Sequence, residues 1–113
     1  MSDIFVYFDV DRTLVFGPND PKPKNPGPTV DIGGVSFVTS AKHTQEIKTF
    51  YARGHTVVVW SAGGAEWARA VCEALGVLDC VDFCLSKPHW FVDDAKAEKF
   101  LPETNRVYLE EIE

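Results

Sequence analysis

Short apolar runs rich in β-branched and aromatic residues constrain the fold of this chain more than any other feature. Residues 4–8 read IFVYF and residues 55–60 read HTVVVW, and a polar residue directly follows each run. Such runs are typical of strands that are buried on both faces, as in the parallel sheets of α/β proteins. Residues 81–85 predict a third strand, residues 90–92 a short fourth, and residues 106–109 a last edge strand.

Two segments with helical spacing separate these strands. The first helix is expected to be capped by Thr39 or Ser40 and to run to about Arg53, and the second to cover residues 66–75. A glycine follows each segment, as is common at the end of a helix. Strands that alternate with helices favour a mostly parallel sheet with right-handed crossovers. We therefore expect a single domain over residues 1–113, folded as a three-layer, Rossmann-like α/β sandwich.

A proline-rich segment interrupts this alternation. Residues 16–28 contain five prolines in thirteen positions, and they predict an exposed loop because proline cannot continue a helix or a central strand. Residues 30–38 carry two apolar runs around Gly33-Gly34, a pair that tolerates positive φ and predicts a small hairpin. Together they predict a flap and hairpin at about residues 16–38.

The net charge of the chain limits the kinds of molecule that it can bind. Seventeen acidic against eleven basic residues give a formal charge of −6, which argues against a protein that coats nucleic acid. A phosphate ester remains an acceptable substrate, because a bound cation can reverse the local field. No apolar run approaches the ~18 residues of a membrane span, and the N-terminus lacks a basic leader, so we expect a cytoplasmic protein without a membrane partner. Three cysteines without a CxxC pair predict reduced thiols.

Polar side chains cluster where the predicted strands end. These are Asp9, Asp11, Ser61, Lys87, Asp93 and Asp94. Because ligands bind outside the carboxyl ends of parallel strands, we expect these side chains to converge on one edge of the sheet. Four carboxylates packed together repel one another unless a divalent cation neutralises them. Oxygen ligands suit a hard ion, and Mg²⁺ is the usual one beside phosphate.

The order of these segments carries a specific resemblance. FDVDRTL, VVVWSAGG, KP and WFVDD occur in this order and span nearly the whole chain. They resemble the four motifs of the haloacid dehalogenase (HAD) superfamily of phosphotransferases. A lone DxDxT would be a weak signal, whereas the ordered set on strand ends is a strong one.

The resemblance implies roles for the first motif. Asp9 would be the nucleophile that attacks phosphorus and forms an aspartyl-phosphate, which splits one difficult displacement into two easier ones. Asp11 would protonate the leaving oxygen and later deprotonate the hydrolytic water. Thr13 would support the turn that follows the strand.

The resemblance also implies a phosphate site and a metal site. Ser61 and the backbone around Ala62 would hold phosphoryl oxygens, and Lys87 would neutralise both the nucleophile and the transferring phosphoryl group. The carboxylates of Asp94 and Asp9 would ligate Mg²⁺, together with the backbone carbonyl of Asp11. Asp93 would assist directly or through water, and we rank Asp94 above it as the direct ligand.

Arg12 departs from the resemblance, because many members of the superfamily carry glycine at this position. Arginine is not barred there if its φ is negative. It can bend the following turn differently, extend toward a phosphate or an acidic neighbour, or remain a solvated surface residue.

The chain leaves too little sequence between its motifs for a separate cap domain, so the resemblance implies a minimal, capless phosphatase that depends on Mg²⁺. An open site fits a large phosphorylated substrate, or a second subunit that acts as a lid in an oligomer. Two alternatives stay open. One is a phosphatase specific for nucleotides or polynucleotide ends, and the other is a non-catalytic module that binds Mg²⁺ and a phosphorylated partner.

Overall fold

The computed structural model describes residues 4–102, which form two three-stranded sheets and two long helices. The strands are β1 (Phe5–Asp9), β2 (Val15–Phe16), β3 (Pro26–Ile32), β4 (Val35–Ser40), β5 (Thr56–Ser61) and β6 (Phe83–Ser86). The helices are α1 (Ala41–Ala52), α2 (Ala65–Leu75) and the single turn α3 (Ala97–Phe100), with a 3₁₀ turn at Leu78–Cys80. The edge strand expected at residues 106–109 lies outside the described residues.

The main sheet is parallel and has the order β1-β5-β6. In its register Asp9 lies opposite Trp60, and Ser61 lies opposite Ser86. The three strands therefore end at one edge, as the apolar runs predicted. The alternation of strands and helices in an α/β fold is confirmed.

Both long helices pack on one face of this sheet. Ile47 of α1 and Val71 of α2 belong to the same buried cluster as Phe8, Val57 and Val59 of the strands. The chain makes two crossovers that step in the same direction across the sheet. Right-handed crossovers of this kind place successive helices on the same side.

The opposite face of the sheet stays open within residues 4–102. Phe5, Tyr7, Phe83 and Leu85 lie on it and are 57, 47, 53 and 40% exposed. The third layer of the expected sandwich is therefore absent from the described residues. The physical reason is topological, since a helix on this face requires a crossover that steps the other way from β1.

The helix ends follow the sequence signals. Ser40 caps α1, because its hydroxyl accepts a hydrogen bond from the backbone N–H of His43 at 3.0 Å. Gly54 follows α1 with a φ of 84°, and Gly76 ends α2 with a φ of 72°. Both φ values are in the left-handed region that glycine adopts without a steric penalty. The predicted caps and stops are confirmed.

The second sheet is antiparallel, with the order β2-β4-β3. The predicted hairpin is confirmed, and its turn glycines Gly33 and Gly34 have φ values of 60° and 82°. The expected loop at residues 16–28 is shorter than predicted, because its last three residues begin β3. This segment is also anchored rather than detached, since Phe37 and Ile32 pack against the main core.

The predicted fourth strand at residues 90–92 is wrong. These residues are coil, and Trp90 and Val92 are 88 and 96% exposed. The apolar run is only three residues long, which is short for a strand, so it gains little to offset the cost of ordering it. Within residues 4–102, no helix is long and apolar enough to cross a bilayer.

The three cysteines carry free thiols, in agreement with the sequence prediction. Cys72 is buried in the core, and Cys80 and Cys84 are partly buried. Burial, followed by contact with the neighbouring Cys84, raises the pKa of the Cys72 thiol to about 12. A thiol of this kind stays protonated at neutral pH and is a poor nucleophile. Cys72 therefore has a packing role.

Candidate active site at the strand ends

A carboxylate and an ammonium group meet at the carboxyl edge of the parallel sheet. Asp9 ends β1, Lys87 directly follows β6, and Lys87 Nζ lies 2.9 Å from Asp9 Oδ1. The Thr13 hydroxyl donates a hydrogen bond to the other carboxylate oxygen of Asp9 at 3.2 Å. Both charged side chains are 36% exposed, so a ligand can approach the pair from solvent.

The central strand supports Lys87 in two ways. The backbone N–H of Lys87 donates to the Ser61 carbonyl at 2.9 Å, which extends the pairing of β5 with β6 by one residue. Lys87 Nζ also lies 5.8 Å from the ring centroid of Trp60. A cation over an indole at an exposed site is stabilised by about 0.5–1 kcal/mol. A tryptophan within an apolar run indicates packing, so the sequence carries no signal of this contact with the lysine.

Asp11 has a partner that the sequence does not reveal. The indole N–H of Trp67 on α2 donates a hydrogen bond to Asp11 Oδ1 at 3.2 Å. The Trp67 ring in turn packs on Phe37 of β4, with centroids 5.6 Å apart. Trp67 is the third residue of α2, and a tryptophan at such a position indicates packing, so the sequence does not predict this hydrogen bond.

Ser61 organises the loop of the second motif from a fully buried position. Its hydroxyl accepts from the Gly63 N–H at 2.9 Å, and its carbonyl accepts from the Gly64 N–H at 3.1 Å. The Ser61 side chain is 0% exposed, whereas Ala62 beside it is exposed. Solvent therefore reaches Ala62 but not the Ser61 hydroxyl, which the sequence predicts to hold a phosphoryl oxygen.

Ser86 is a site residue that none of the sequence motifs indicates. It is the last residue of β6, and its hydroxyl accepts from the N–H of Ala65, the first residue of α2, at 2.9 Å. The preceding residue, Gly64, has no side chain to cap the helix, and its φ is 108°. The cap therefore comes from the neighbouring strand, and it fixes the start of α2 beside the strand ends. A serine at the end of a predicted strand was the available signal.

Asp93 and Asp94 lie in the exposed coil before α3. A side-chain hydrogen bond between the two carboxyls, together with the backbone N–H of Ala95, lowers the pKa of Asp93 below its usual value. Across residues 4–102, no three His, Cys, Asp or Glu side chains are close enough to hold a metal ion together. The structure thus does not gather Asp9, Asp11 and Asp94 into a three-carboxylate group. Since residues 90–92 are coil, no ladder among the described residues holds Asp94 at the sheet edge.

Arg12 takes up a left-handed backbone conformation, with a φ of 60°. Arginine fits this position without strain only when φ is negative, so the backbone at Arg12 is strained. Of the roles left open by the sequence, contact with an acidic neighbour is observed, because Arg12 Nε lies 3.4 Å from Asp20 Oδ1. Asp20 also accepts the N–H of Gly17 at 2.8 Å. Arg12 thereby ties the first-motif turn to the start of the proline-rich segment.

The strain at Arg12 leads to a prediction about stability. We expect Arg12→Gly to have a higher free energy of unfolding than Arg12→Ala, by about 0.5–1 kcal/mol. The left-handed conformation costs a residue with a Cβ atom roughly 1–2 kcal/mol, and the extra entropy of glycine offsets about half of it. Both variants remove the ion pair with Asp20. The difference between their free energies of unfolding therefore reports the conformational preference of the backbone at position 12 alone. Urea unfolding of the two variants measures it.

Arg69 provides the matched control, because it lies inside α2 with an equally long ion pair to Glu73, 3.4 Å. At this exposed helical position Arg69→Gly should be less stable than Arg69→Ala, by about 1 kcal/mol. Glycine should thus give the more stable variant at position 12, and alanine the more stable variant at position 69. The same order at both would contradict a strained Arg12.

Comparison of the chain with protein-family models, with curated proteins and with solved structures finds no match. An assignment of function therefore depends on the chemistry of the residues at the strand ends.

Proposed function

We propose that the protein is a phosphatase of the HAD type, which hydrolyses phosphoric monoesters through an aspartyl-phosphate on Asp9. The observation that supports this most directly is the 2.9 Å contact between Asp9 Oδ1 and Lys87 Nζ, two residues that are far apart in the sequence. The cation neutralises the attacking carboxylate, and it can stabilise the negative charge of a phosphoryl group that approaches it. In this proposal residues 4–102 supply the parallel sheet and one helical layer of a capless HAD-like fold.

The proposed reaction has two balanced displacements. An oxygen of Asp9 attacks phosphorus, the bond from phosphorus to the leaving oxygen breaks, and Asp11 donates a proton to that oxygen. Water then attacks the aspartyl-phosphate, Asp11 takes back a proton, and inorganic phosphate leaves the restored carboxylate. The exposed positions of Asp9 and Lys87 suit a substrate larger than the site, including a nucleotide or a polynucleotide end.

Mg²⁺ is part of this proposal. The donor atoms at the end of β1 are carboxylate and carbonyl oxygens, which a hard divalent cation prefers. Asp9 and the Asp11 carbonyl would hold the ion, and Asp94 would join them as the third protein ligand. When bound, the ion would supply positive charge to the phosphoryl oxygens. The residues fit this role by their chemistry, whereas the grouping with Asp94 is not formed in the structure.

The test of the proposed function is turnover of an aryl phosphate such as p-nitrophenyl phosphate with Mg²⁺. Hydrolysis by the wild type that is lost with EDTA and restored by added Mg²⁺ is the expected result. A panel of sugar phosphates, nucleotides and phosphorylated oligonucleotides then ranks the substrate classes. An inert protein that still binds Mg²⁺ would contradict the proposal and favour the non-catalytic module.

The metal ligand gives a second prediction. We expect Asp94→Asn to raise the Mg²⁺ concentration for half-maximal activity about 10-fold or more, because it removes a charged ligand. Asp93→Asn is the matched control, since it removes a charge from the adjacent residue and should shift this concentration much less. Titration of phosphatase activity with Mg²⁺ measures both variants. An equal shift in the two would contradict Asp94 as the direct ligand.

A further inference from the structure

We propose that Trp67 is a positioning residue for Asp11, an inference that rests on the proposed phosphatase function. The indole N–H of Trp67 meets Asp11 Oδ1 at 3.2 Å across 56 residues of sequence. Asp11 follows β1 on a turn and is exposed to solvent. A general acid must be held within hydrogen-bond reach of the leaving oxygen, so a solvated carboxyl that lacks a fixed partner is poorly suited to the task.

The indole is itself held firmly. Its ring packs on Phe37 of β4, with centroids 5.6 Å apart and planes inclined by 53°. Trp67 also packs against the buried cluster beneath the parallel sheet. On a third side lies Gly63, where an added Cβ atom would come within 3.1 Å of Trp67 Cδ1. The donor of the hydrogen bond is therefore a rigid group, fixed by the helix, the antiparallel sheet and the loop of the second motif.

The chemistry of indole determines what this contact does. The indole nitrogen is a donor only, so Asp11 Oδ1 acts as an acceptor whether the carboxyl is ionised or protonated. The proton of the acid form therefore resides on Asp11 Oδ2. Trp67 thus fixes both the orientation of the carboxyl plane and the oxygen that delivers the proton. Because Phe37 supports the indole, the antiparallel sheet is connected to the proton donor through two side chains.

The test uses substrates that differ in their need for a proton donor. An alkyl phosphate requires protonation of its leaving oxygen, whereas 2,4-dinitrophenyl phosphate releases a stable anion without it. We expect Trp67→Phe to lower kcat/KM for the alkyl phosphate about 10-fold and for the dinitrophenyl ester less than about 2-fold, because kcat/KM reports on the first displacement alone and not on the later step in which Asp11 acts as a base. Trp90→Phe is the matched control, since Trp90 is 88% exposed, and it should leave both rates unchanged.

A double-mutant cycle shows whether Trp67 acts through Asp11. In an Asp11→Asn background, Trp67→Phe should cause no further loss with the alkyl phosphate, because the proton donor is already absent. An additive loss, or an equal loss with both substrates, would overturn the proposal. Purely structural damage by Trp67→Phe would give that pattern, since it lowers both rates together.

A measurement that does not depend on activity distinguishes the Trp67–Asp11 contact from the proposed phosphatase function. In the proton NMR spectrum, the indole N–H signal that disappears in Trp67→Phe should move upfield in Asp11→Ala, because it loses its acceptor. An unmoved signal overturns the contact, whatever the activity. Failure of the proposed function has a different signature, in which the wild type hydrolyses none of the esters. The positioning role then falls with it, although the indole shift persists.

Discussion

Asp9→Asn is expected to lower kcat for p-nitrophenyl phosphate by on the order of 10⁴-fold or more, the scale seen when an enzyme loses its nucleophile. The amide has nearly the shape of the carboxylate, but it carries no charge and its oxygen is a far weaker nucleophile. The 2.9 Å contact with Lys87 would change from an ion pair to a hydrogen bond between the charged ammonium group and a neutral amide oxygen. Both groups are 36% exposed, so we expect little change in the thermal midpoint of unfolding.

The control for this variant is Asp79→Asn. Asp79 is an exposed residue of the 3₁₀ turn before β6, at the opposite end of the strands from Asp9. Its substitution removes the same charge and should leave kcat unchanged. Brief reaction with a ³²P-labelled ester adds a direct measurement, because the wild type should trap label in an acid-stable acyl phosphate and Asp9→Asn should not. Labelling or more than about 1% residual activity in Asp9→Asn would contradict covalent catalysis by Asp9.

Lys87→Met is expected to lower kcat about 10²–10³-fold, which is the usual effect of removing one group that stabilises developing negative charge. Methionine preserves an unbranched apolar stem beside Trp60, so the substitution removes the charge and retains most of the packing. The loss should appear in kcat more than in KM if Lys87 acts mainly in the transition state. Steady-state kinetics with the aryl phosphate and Mg²⁺ measures both.

A lysine of α1 provides the control for the net charge. Lys42 is exposed at the start of α1, and Lys42→Met changes the charge of the protein by the same amount. It should leave kcat unchanged. A comparable loss in both variants would mean that the overall charge, and not the contact with Asp9, controls turnover. Activity of Lys87→Met near that of the wild type would contradict the role of Lys87.

The elements with strong local signals were predictable from the sequence. The runs at residues 4–8 and 55–60 became strands, and Ser40 and Gly76 cap the helices where expected. Which faces of the parallel sheet the helices cover was not predictable. That depends on the direction of each crossover and on how distant strands pair, which local sequence patterns do not contain. The run at residues 90–92 shows this limit, since apolar character alone cannot provide a strand with a pairing partner.

The candidate site was predictable to a similar extent. A strand-end aspartate and a strand-end lysine were expected to converge, and the structure brings Asp9 and Lys87 into contact. The contacts made by Trp60 and Trp67 could not be predicted, because an indole in an apolar segment has the same sequence signature whether it packs, covers a cation or donates a hydrogen bond. The sequence also contains no record of the positive φ of Arg12.

The strand order β1-β5-β6 has a consequence for how the site is assembled. Asp9 ends one outer strand and Lys87 follows the other, so the lysine side chain must cross the central strand, over Trp60, to reach the carboxylate. A folding intermediate that has joined only β1 and β5 holds the carboxylate without its counter-ion. Arrival of β6 completes the pair, so recovery of the proposed phosphatase activity after dilution from denaturant would mark the pairing of β6 with β5.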